Sequence, residues 1–405
     1  MTIGYLVPEF PGQTHIMFWR EIEALKSMGE KVALVSTRRP SIDCPHDFAS
    51  AAISETHYIY PPSLPGLLNW AAVGGKGLGQ SLSYLRPLQA RQTSERAKQA
   101  VLIASAIDLT RWARQHGVRH VHGHSCADTA HVLALARRQG GPTYSITLHG
   151  DLAVYGLDHQ AKLRDASFVC AVGKHLRHQL EHQAGVPPDR VIETFMGIDT
   201  ARAYGARRPR AFVPGKLHIA TVARLNAAKG HEYVFQALRQ GINNGLDLHY
   251  TVVGGGPHED ALKKRTRELN LENHVTFTGS LAEQGVHEVL AAADVLVLAS
   301  TGLGEAWPVA VMEAMSAGLP VIATVIGATS EMISPGHDGF LVPQADAAAI
   351  LEKIELLAND SVLRQRLGDA ALATARRRFD VKVSAGILRD AIRTAIDRQS
   401  TRVFA

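Results

Sequence analysis

The chain has 405 residues, of which 46% are hydrophobic and 20% charged, a composition typical of a globular enzyme with two or three domains. No run of eighteen apolar residues occurs, so we expect no membrane-spanning helix, and the first residues, MTIGYLVPEF, lack the pattern of a signal peptide. Three cysteines lie far apart in the sequence, which indicates reduced thiols and predicts a cytoplasmic protein.

The positive charge of the chain is concentrated in its first half. Residues 1–208 carry a formal net charge of +6 and residues 209–405 a net charge of −1, for a total of +5. No aromatic RNA-binding signature or zinc-finger spacing accompanies these cations, so nucleic acid is not an expected partner. The charge suits an anionic membrane surface or an anionic lipid acceptor, and a solvated basic face without a partner is an equal alternative.

Short apolar runs alternate with helix-period segments, and this alternation restarts after residue 210. Alternating strands and helices predict an α/β fold, and two series predict two doubly wound, Rossmann-like parallel sheets. The strand-like runs of the first series are IGYLVPEF, KVALVST, HVHGH, TYSITLHG and SFVCAVG. Those of the second series are KLHIATVARL, LHYTVVGGG, HVTFTGS, DVLVLAS, LPVIAT and GFLVP.

Residues 200–216 are rich in Arg, Pro and Gly and have no apolar period, so we interpret them as a linker. The predicted domains are residues 1–205 and residues 206–384, followed by a helix at 385–405 that could pack back on the first domain. Two facing sheets of this kind would place a ligand site in the cleft between them, outside the carboxyl ends of the strands.

Three histidines lie in the run HVHGH, and another histidine comes at the end of the next strand-like run. His120, His122 and His124 alternate, so they share one face of a strand and invite a metal site. Alternate residues of one strand rarely converge on one ion, and no CxxC or HExxH motif completes the set, so we expect no metal. His149, in the stretch ITLHGDL, lies at the carboxyl end of a predicted strand, where ligands bind, although a lone histidine is more often structural.

Two cations follow the first strand of the second series. The segment VARLNAAKG holds Arg224 and Lys229 five residues apart. An arginine can bind phosphate oxygens in a bidentate manner and a lysine acts as a point charge, so the pair suits a diphosphate; the plain alternative is two solvated cations. The turn VVGGGP after the next strand contains Gly255 and lets the backbone approach a ligand closely.

Two glutamates, Glu305 and Glu313, stand in the otherwise apolar stretch TGLGEAWPVAVMEAMSAG. The stretch predicts a loop and then a helix that begins near Pro308. The free amides of Val309 and Ala310 would bind an anion at the helix N-terminus. Carboxylates beside such a site can accept hydrogen bonds from sugar hydroxyls, so the glutamates would bracket a phosphate; the alternative is a capping acid and a solvated acid.

The motif E-x7-E, with R-x4-K-G before it and LPVIAT after it, resembles the retaining nucleotide-sugar glycosyltransferases of group 1, or family 4, which have the GT-B fold. The opening GYLVPEFPGQTHIMFWREIEALKSMG is similar to that of bacterial exopolysaccharide members of the colanic-acid type. The resemblance implies that Glu313 binds the ribose and that Arg224 and Lys229 bind the diphosphate. It implies that Glu305 contacts hydroxyls of the donor sugar, with a chemical role as the open alternative.

The resemblance also implies roles in the first half of the chain. His149 would reach the 6-hydroxyl of the donor sugar, and Gly12 in the turn PGQ would bring a backbone amide to the diphosphate. Two positions depart from the usual family pattern. Pro308 replaces a common glycine at the fourth position of E-x7-E, and Met196 replaces the asparagine of the usual N-G-(V/I)-D motif.

The resemblance thus implies an enzyme that moves a hexosyl unit from a nucleoside diphosphate sugar, with UDP favoured by family frequency, to an acceptor hydroxyl. The cations would stabilise the leaving diphosphate, so we expect no cofactor and no metal. The acceptor would be a glycan or a lipid-linked oligosaccharide of bacterial polysaccharide biosynthesis, bound by the first domain. The alternatives are a nucleotide-sugar epimerase of the same architecture and a scaffold with a degenerate site.

Residues 66–98 mix apolar side chains with cations and suggest a peripheral contact with the inner membrane. The alternative is that Trp70 and the leucines pack as core while the cations are solvated. The residues concerned are Trp70, Lys76, Tyr84, Arg86, Arg91, Arg96 and Lys98.

Overall fold

The computed structural model describes residues 1–12, 14–40, 44–61, 70–88, 93–200, 212–302 and 305–403. The chain forms two compact units. The first unit comprises Met1–Met196 together with the C-terminal segment from Lys382, and the second comprises Gly197–Val381. Most of the predicted linker at 200–216, and the predicted boundary at 205/206, lie outside the described residues.

The first unit contains a parallel sheet of seven strands in the order β3-β2-β1-β4-β5-β6-β7. Its strands are β1 (Thr2–Val7), β2 (Lys31–Ser36), β3 (His57–Tyr58), β4 (His120–His124), β5 (Thr143–Leu148), β6 (Val169–Ala171) and β7 (Val191–Glu193). Its helices before residue 196 are α1 (Ile16–Ser27), α2 (Ala49–Glu55), α3 (Trp70–Leu85), α4 (Thr93–Gln115), α5 (Asp128–Arg138), α6 (His159–Leu163) and α7 (Lys174–His182).

The strand order of this sheet reverses between β1 and β4, which pair with each other although they are distant in sequence. Ligands bind open α/β sheets at such a reversal, outside the carboxyl ends of the strands. Helix α1 follows β1 directly and buries Phe18, Ile22 and Leu25, which share one helical face. The turn before α1 and the ends of β4 and β5 therefore border the expected ligand crevice of this unit.

The second unit contains a parallel sheet of six strands in the order β10-β9-β8-β11-β12-β13. Its strands are β8 (Lys216–Val222), β9 (Asp247–Val253), β10 (Val275–Gly279), β11 (Val295–Leu298), β12 (Val321–Thr324) and β13 (Gly339–Val342). Its helices are α8 (His231–Asn243), α9 (Glu259–Glu268), α10 (Glu283–Ala292), α11 (Val309–Ser316), α12 (Thr329–Met332), α13 (Ala347–Asn359) and α14 (Ser361–Arg378). The core includes Phe235, Tyr250 and Val297, all fully buried.

Both predicted sheets are present, all of their strand pairs are parallel, and the predicted α/β doubly wound fold class is confirmed. The last helix, α15 (Val381–Val403), belongs to the first unit from Lys382 onward, and its Arg393 guanidinium donates to Glu30 Oε1 at 3.0 Å. The sequence had predicted a helix at 385–405 for this segment. In the described part of the chain, no helix combines the length and the apolarity needed to cross a bilayer.

Candidate active-site residues

The cations predicted in the second unit lie where its strand order reverses, between β8 and β11. Arg224 and Lys229 follow β8, and Glu305 follows β11. The two loops are joined by their backbones, since the Thr301 amide donates to the Ala228 carbonyl at 2.8 Å. The structure therefore brings side chains 76 residues apart in sequence to one edge of the sheet.

Lys229 and Glu305 form a direct ion pair. The Lys229 ammonium contacts Glu305 Oε2, and the Ser300 hydroxyl donates to the same oxygen at 2.9 Å. Both side chains are largely shielded from water, with 21% of Lys229 and 12% of Glu305 exposed. The sequence had predicted separate contacts for the two residues, with diphosphate and with sugar. In this structure each one neutralises the other, so an anionic ligand of Lys229 must compete with the carboxylate.

The loop that carries Lys229 depends on Gly230. This residue has a φ of 66°, in the left-handed region, and a Cβ atom there would overlap the Ala299 carbonyl oxygen. Only glycine lets the loop after β8 approach the end of β11 so closely. Arg224, on the same loop, has an exposed side chain. The neighbouring Leu225 amide donates to the Gly255 carbonyl at 3.0 Å, which brings the predicted glycine turn alongside.

Helix α11 begins at Val309, directly after Pro308, as the sequence predicts. Val309 and Ala310 are partly exposed at its first turn, where the backbone amides have no partner inside the helix. Glu313 lies one turn further along and is only 6% exposed. A buried carboxylate is costly without polar contacts, so its position favours a specific role over that of a solvated acid. Leu303 and Gly304, between Glu305 and β11, lie outside the described residues.

In the first unit, His149 follows β5 and is partly buried. Its Nε2 atom lies 2.9 Å from His124 Nδ1, and its backbone amide donates to the Tyr155 hydroxyl at 2.9 Å. The edge of its ring meets the Phe18 ring, with centroids 5.3 Å apart. Burial, together with a smaller effect of the nearby His15, lowers the pKa of His149 to about 4. The imidazole is therefore neutral at pH 7 and offers one hydrogen-bond donor and one acceptor.

The histidines of β4 are held by a row of hydroxyls on β5. His120 bonds Thr143 Oγ1 and Ser145 Oγ, both at 2.8 Å. His122 bonds Ser145 Oγ at 2.7 Å and Thr147 Oγ1 at 2.9 Å. The sequence contains a signal for these hydrogen bonds, because β4 has the alternating pattern HxHxH and β5 has the alternating pattern TxSxT.

One trio of these side chains has spacing that would suit a metal ion. Atoms of Glu21, His122 and His124 lie within 4.8 Å of one another. Both ring nitrogens of His122 already bond hydroxyls, so an ion would have to break one of those bonds. The donor set fits hydrogen bonding better than coordination, and the expectation of no metal remains a prediction.

Gly12 lies in the turn between β1 and α1, as the sequence predicts. Its carbonyl accepts from the His15 amide at 3.0 Å, and a Cβ atom at this position would meet the His15 ring at 3.0 Å. A side chain at position 12 would thus displace His15. Gln13, the next residue of the turn, lies outside the described residues.

Sequence reasoning missed two buried residues behind His149. Tyr5 donates from its hydroxyl to Glu21 Oε1 at 2.8 Å, and Glu21 is 3% exposed. Burial raises the pKa of Glu21 to about 7, against a smaller lowering by the Tyr5 hydrogen bond. The signal was available, because Glu21 stands three residues after Phe18 and four before Leu25, within the apolar stripe of α1.

The predicted membrane segment is described only in part. Tyr84 is 3% exposed, and its hydroxyl bonds His131 Nδ1 at 2.7 Å, so this ring packs as core and does not face a membrane. Lys98 pairs with Asp128 at 2.8 Å. Lys76 and Arg86 are exposed. Arg91 and the side chains of Trp70 and Arg96 lie outside the described residues.

Two family models match the chain. Residues 206–374 match the model described as glycosyl transferases group 1, and residues 17–202 match the model described as glycosyltransferase family 4. Together these matches include the second-unit residues Arg224 to Glu313 and, in the first unit, Glu21, His124 and His149.

Curated relatives and solved structures show the same likeness. A Salmonella typhimurium protein named for a glycosyltransferase role in colanic acid biosynthesis is 26% identical over 379 residues, which is 87% of this chain and 90% of that protein. The amylovoran biosynthesis glycosyltransferase of Erwinia amylovora is 33% identical over 170 residues, 41% of each chain. The fold matches that of HepE from Anabaena in complex with UDP, with a TM-score of 0.69, 18% identity, and coverage of 97% of this chain and 100% of that one.

Proposed function

The chain belongs to the group 1, or family 4, glycosyltransferases, and from this premise we propose that it moves a hexosyl unit from a nucleoside diphosphate sugar to a hydroxyl of a glycan or glycolipid acceptor, with retained anomeric configuration. The relatives named for exopolysaccharide biosynthesis support an acceptor of that class. The observation that carries the proposal is the pairing of Lys229 with Glu305 where the strand order of the second sheet reverses.

We assign the nucleoside diphosphate to the second unit. Arg224 has an exposed guanidinium that can bind two phosphate oxygens, and Lys229 supplies a point charge once Glu305 releases it. The amides of Val309 and Ala310 add the partial positive charge of a helix N-terminus. Glu313 accepts hydrogen bonds from the ribose hydroxyls. Gly255 offers backbone that a phosphate can approach closely.

The sugar is recognised by neutral and acidic groups. In this proposal Glu305, displaced from Lys229 by the diphosphate, accepts hydrogen bonds from hydroxyls of the donor sugar. His149 contributes a neutral imidazole to another hydroxyl of the same sugar, because its lowered pKa of about 4 keeps it uncharged at pH 7. When the donor binds, the ion pair between Lys229 and Glu305 is broken. Lys229 then contacts the diphosphate and Glu305 contacts the sugar, so binding of the diphosphate favours binding of the sugar.

The reaction breaks the bond between the anomeric carbon and the phosphate oxygen. Negative charge then develops on the diphosphate, and preorganised cations and amides stabilise it, so the proposed mechanism requires no divalent ion. The acceptor oxygen attacks the anomeric carbon on the face that the phosphate leaves, and the released phosphate oxygen takes the acceptor proton. The products are the glycosylated acceptor and the protonated nucleoside diphosphate.

The nucleotide site can be tested by thermal unfolding with UDP, GDP and ADP. The UDP held by the Anabaena protein of the same fold makes UDP the first choice. A ligand at ~100 times its dissociation constant adds about 2.7 kcal/mol to the free energy of unfolding, so one nucleotide should raise the Tm measurably. A flat response to all three would remove the nucleotide site, and with it the proposal.

Transfer itself is tested with a labelled sugar nucleotide, with and without an acceptor glycan, in buffer containing EDTA. We expect a glycosylated product whose anomeric proton coupling matches that of the donor, and no change of the sugar nucleotide when acceptor is omitted. Epimerised sugar nucleotide in the absence of acceptor would instead favour the epimerase. Loss of all activity in EDTA would contradict the metal-free mechanism.

A further inference from the structure

A buried row of polar side chains leads from the interior of the first unit to His149. The Tyr5 hydroxyl on β1 donates to Glu21 Oε1 on α1 at 2.8 Å. The same carboxylate oxygen lies 3.7 Å from Nε2 of His124 on β4, and Nδ1 of His124 lies 2.9 Å from Nε2 of His149. Strand β1, helix α1, strand β4 and the turn after β5 thus contribute one member each, and only His149 is partly exposed.

The step between Glu21 and His124 is incomplete in this structure. His124 is 1% exposed, and its Nε2 atom is buried without a hydrogen-bond partner in the described part of the chain. A buried ring nitrogen left unpaired has lost its hydrogen bonds to water without compensation, which destabilises the folded state. The Glu21 carboxylate stands 3.7 Å away, within reach of a small side-chain adjustment. A tightened contact between the two groups relieves that cost.

The rings of this row are held in place by packing. The Phe18 ring lies 4.6 Å from the His124 ring and 5.3 Å from the His149 ring, and the Tyr5 ring lies 4.6 Å from His124. His124 and His149 are stacked with an angle of 24° between their planes. Neither imidazole ring can rotate without moving these neighbours. The hydrogen bonds of the row therefore change direction by the transfer of protons and not by rotation of the rings.

We propose that Glu21 and His124 are positioning residues that set which tautomer His149 presents to the donor sugar. The inference rests on the proposed contact of His149 with that sugar. When Glu21 is ionised, it accepts from Nε2–H of His124. His124 then has a lone pair on Nδ1, which accepts from Nε2–H of His149. The remaining nitrogen of His149, Nδ1, is left as an acceptor for a sugar hydroxyl.

Protonation of Glu21 reverses every bond in the row. The carboxylic acid donates to His124 Nε2, His124 donates from Nδ1 to His149 Nε2, and His149 carries its proton on Nδ1 as a donor. One proton is added at Glu21, and both imidazoles remain neutral. The carboxylate behind the row stabilises positive charge on the sugar, so the ionised form is the faster one.

The pKa values of the row place this change near neutral pH. Burial raises the pKa of Glu21 to about 7, whereas burial lowers that of His149 to about 4 and that of His124 well below its usual range. The titratable groups around Glu21 are Arg20 and His15 near it in sequence, Tyr5 from β1, His122 and His124 from β4, His149 after β5, and Cys170 from β6. Between pH 6 and 8, Glu21 is therefore the member of the row that titrates.

The test compares the wild type with Glu21→Gln, which keeps the size of the side chain and cannot ionise. We expect wild-type kcat to rise with pH through an apparent pKa of about 7, and the variant to lack this rise and to be ~10-fold slower at pH 8. The affinity for UDP, bound by the second unit, should not change. Glu23→Gln, an exposed acid on the same helix, serves as the matched control and should keep the wild-type profile.

Nitrogen-15 NMR of labelled histidines provides a second measurement that requires no activity. We expect the His149 signals of the wild type to change from the Nδ1–H tautomer at pH 6 to the Nε2–H tautomer at pH 8, and those of Glu21→Gln to stay constant. A His149 tautomer that is independent of pH in the wild type would overturn the inference, even if the variant does not fold. An enzyme without transferase activity that shows the tautomer change would refute the proposed function and leave the row intact.

Discussion

The two units carry their candidate residues in opposite environments. In the first unit, His120, His122 and His124 are almost completely buried and uncharged at neutral pH. The first two are bonded to hydroxyls and His124 is bonded to His149. In the second unit, Arg224 is exposed, and Lys229 and Glu305 are partly exposed and paired as ions. The candidate residues of the first unit are thus neutral and buried, whereas those of the second unit are charged and partly exposed.

The difference follows from the cost of burying charge. A cation that must bind a diphosphate has to keep its charge, so it needs partial exposure or an acidic partner. An imidazole that orients a sugar hydroxyl works without charge, and burial keeps it neutral. The contrast fits the binding of an anion in the second unit and hydrogen bonding to a neutral hydroxyl in the first.

The largest effect expected from this contrast is a loss of stability in acid. Burial lowers the pKa of His120 to about 3, so below pH 6.5 the unfolded chain takes up a proton that the folded chain does not. At pH 5 this one residue lowers the free energy of unfolding by about 2 kcal/mol, and His122 and His124 act in the same direction. Glu21 acts in the opposite direction between pH 7 and 4.5, because its pKa is raised to about 7.

Urea unfolding at pH 7.5 and pH 5, followed by hydrogen exchange, measures this effect. The amides of β4 and β5 should lose protection before those of β8 and β9, because most of the strongly shifted histidines lie in the first unit. If the free energy of unfolding were equal at the two pH values, the histidines would not be neutral in the folded chain, and the contrast between the units would fail.

The next effect concerns the ion pair of the second unit. Lys229→Ala should lower transfer by ~10²-fold or more, by analogy with the loss of one preorganised donor, and should weaken UDP binding. The variant leaves the Glu305 carboxylate uncompensated beside the diphosphate. Adding Glu305→Gln should therefore recover part of the UDP affinity, although not the activity. The exposed Lys264 provides the control, since Lys264→Ala should leave both quantities unchanged. If the double variant bound UDP no more tightly than Lys229→Ala does, the Glu305 carboxylate would not oppose binding of the ligand.

A smaller effect is expected at Glu313, the more buried of the two candidate glutamates in the second unit. Glu313→Gln should weaken UDP binding ~10-fold, because hydrogen bonds to a charged acceptor contribute about 1.5–3 kcal/mol. It should also remove most of the preference for UDP over deoxyuridine diphosphate, which calorimetry measures directly. Glu272→Gln, at an exposed acid of the same unit, should change neither. A variant that still discriminates against the deoxy nucleotide would place the ribose elsewhere.

The smallest effect should come from the basic surface of the first unit. Changing Lys76 and Arg86 to Glu should weaken binding to vesicles of anionic lipid at low salt, since each cation near such a surface contributes about 1 kcal/mol. The wild-type interaction should decrease with added salt. Lys264→Glu tests whether a charge change in the second unit has the same result. If all variants bound the vesicles equally, or if the wild type did not bind them, the result would favour an acceptor that is not membrane-bound.

The individual strands and loops could be predicted from the sequence because their signals are local. Apolar runs mark the buried strands, and Gly, Pro and charged residues mark the loops after them, so Arg224, Lys229 and Glu305 could be assigned to strand ends. The start of α11 at Val309 follows from Pro308. The alternation of histidines in HVHGH correctly predicted a shared face, but it did not reveal the hydroxyls of β5 that hold them.

What the sequence by itself determined is therefore the order of strands and helices and the chemical type of residue at each strand end, since both depend on neighbours within a few positions. The tertiary structure decided which of those residues meet. Lys229 contacts Glu305 because β8 lies beside β11, and Glu21 reaches His124 because β4 lies beside β1. It also decided that Tyr84 is core. These pairings depend on strand order and on burial, to which residues dozens of positions apart contribute, and no local pattern encodes them.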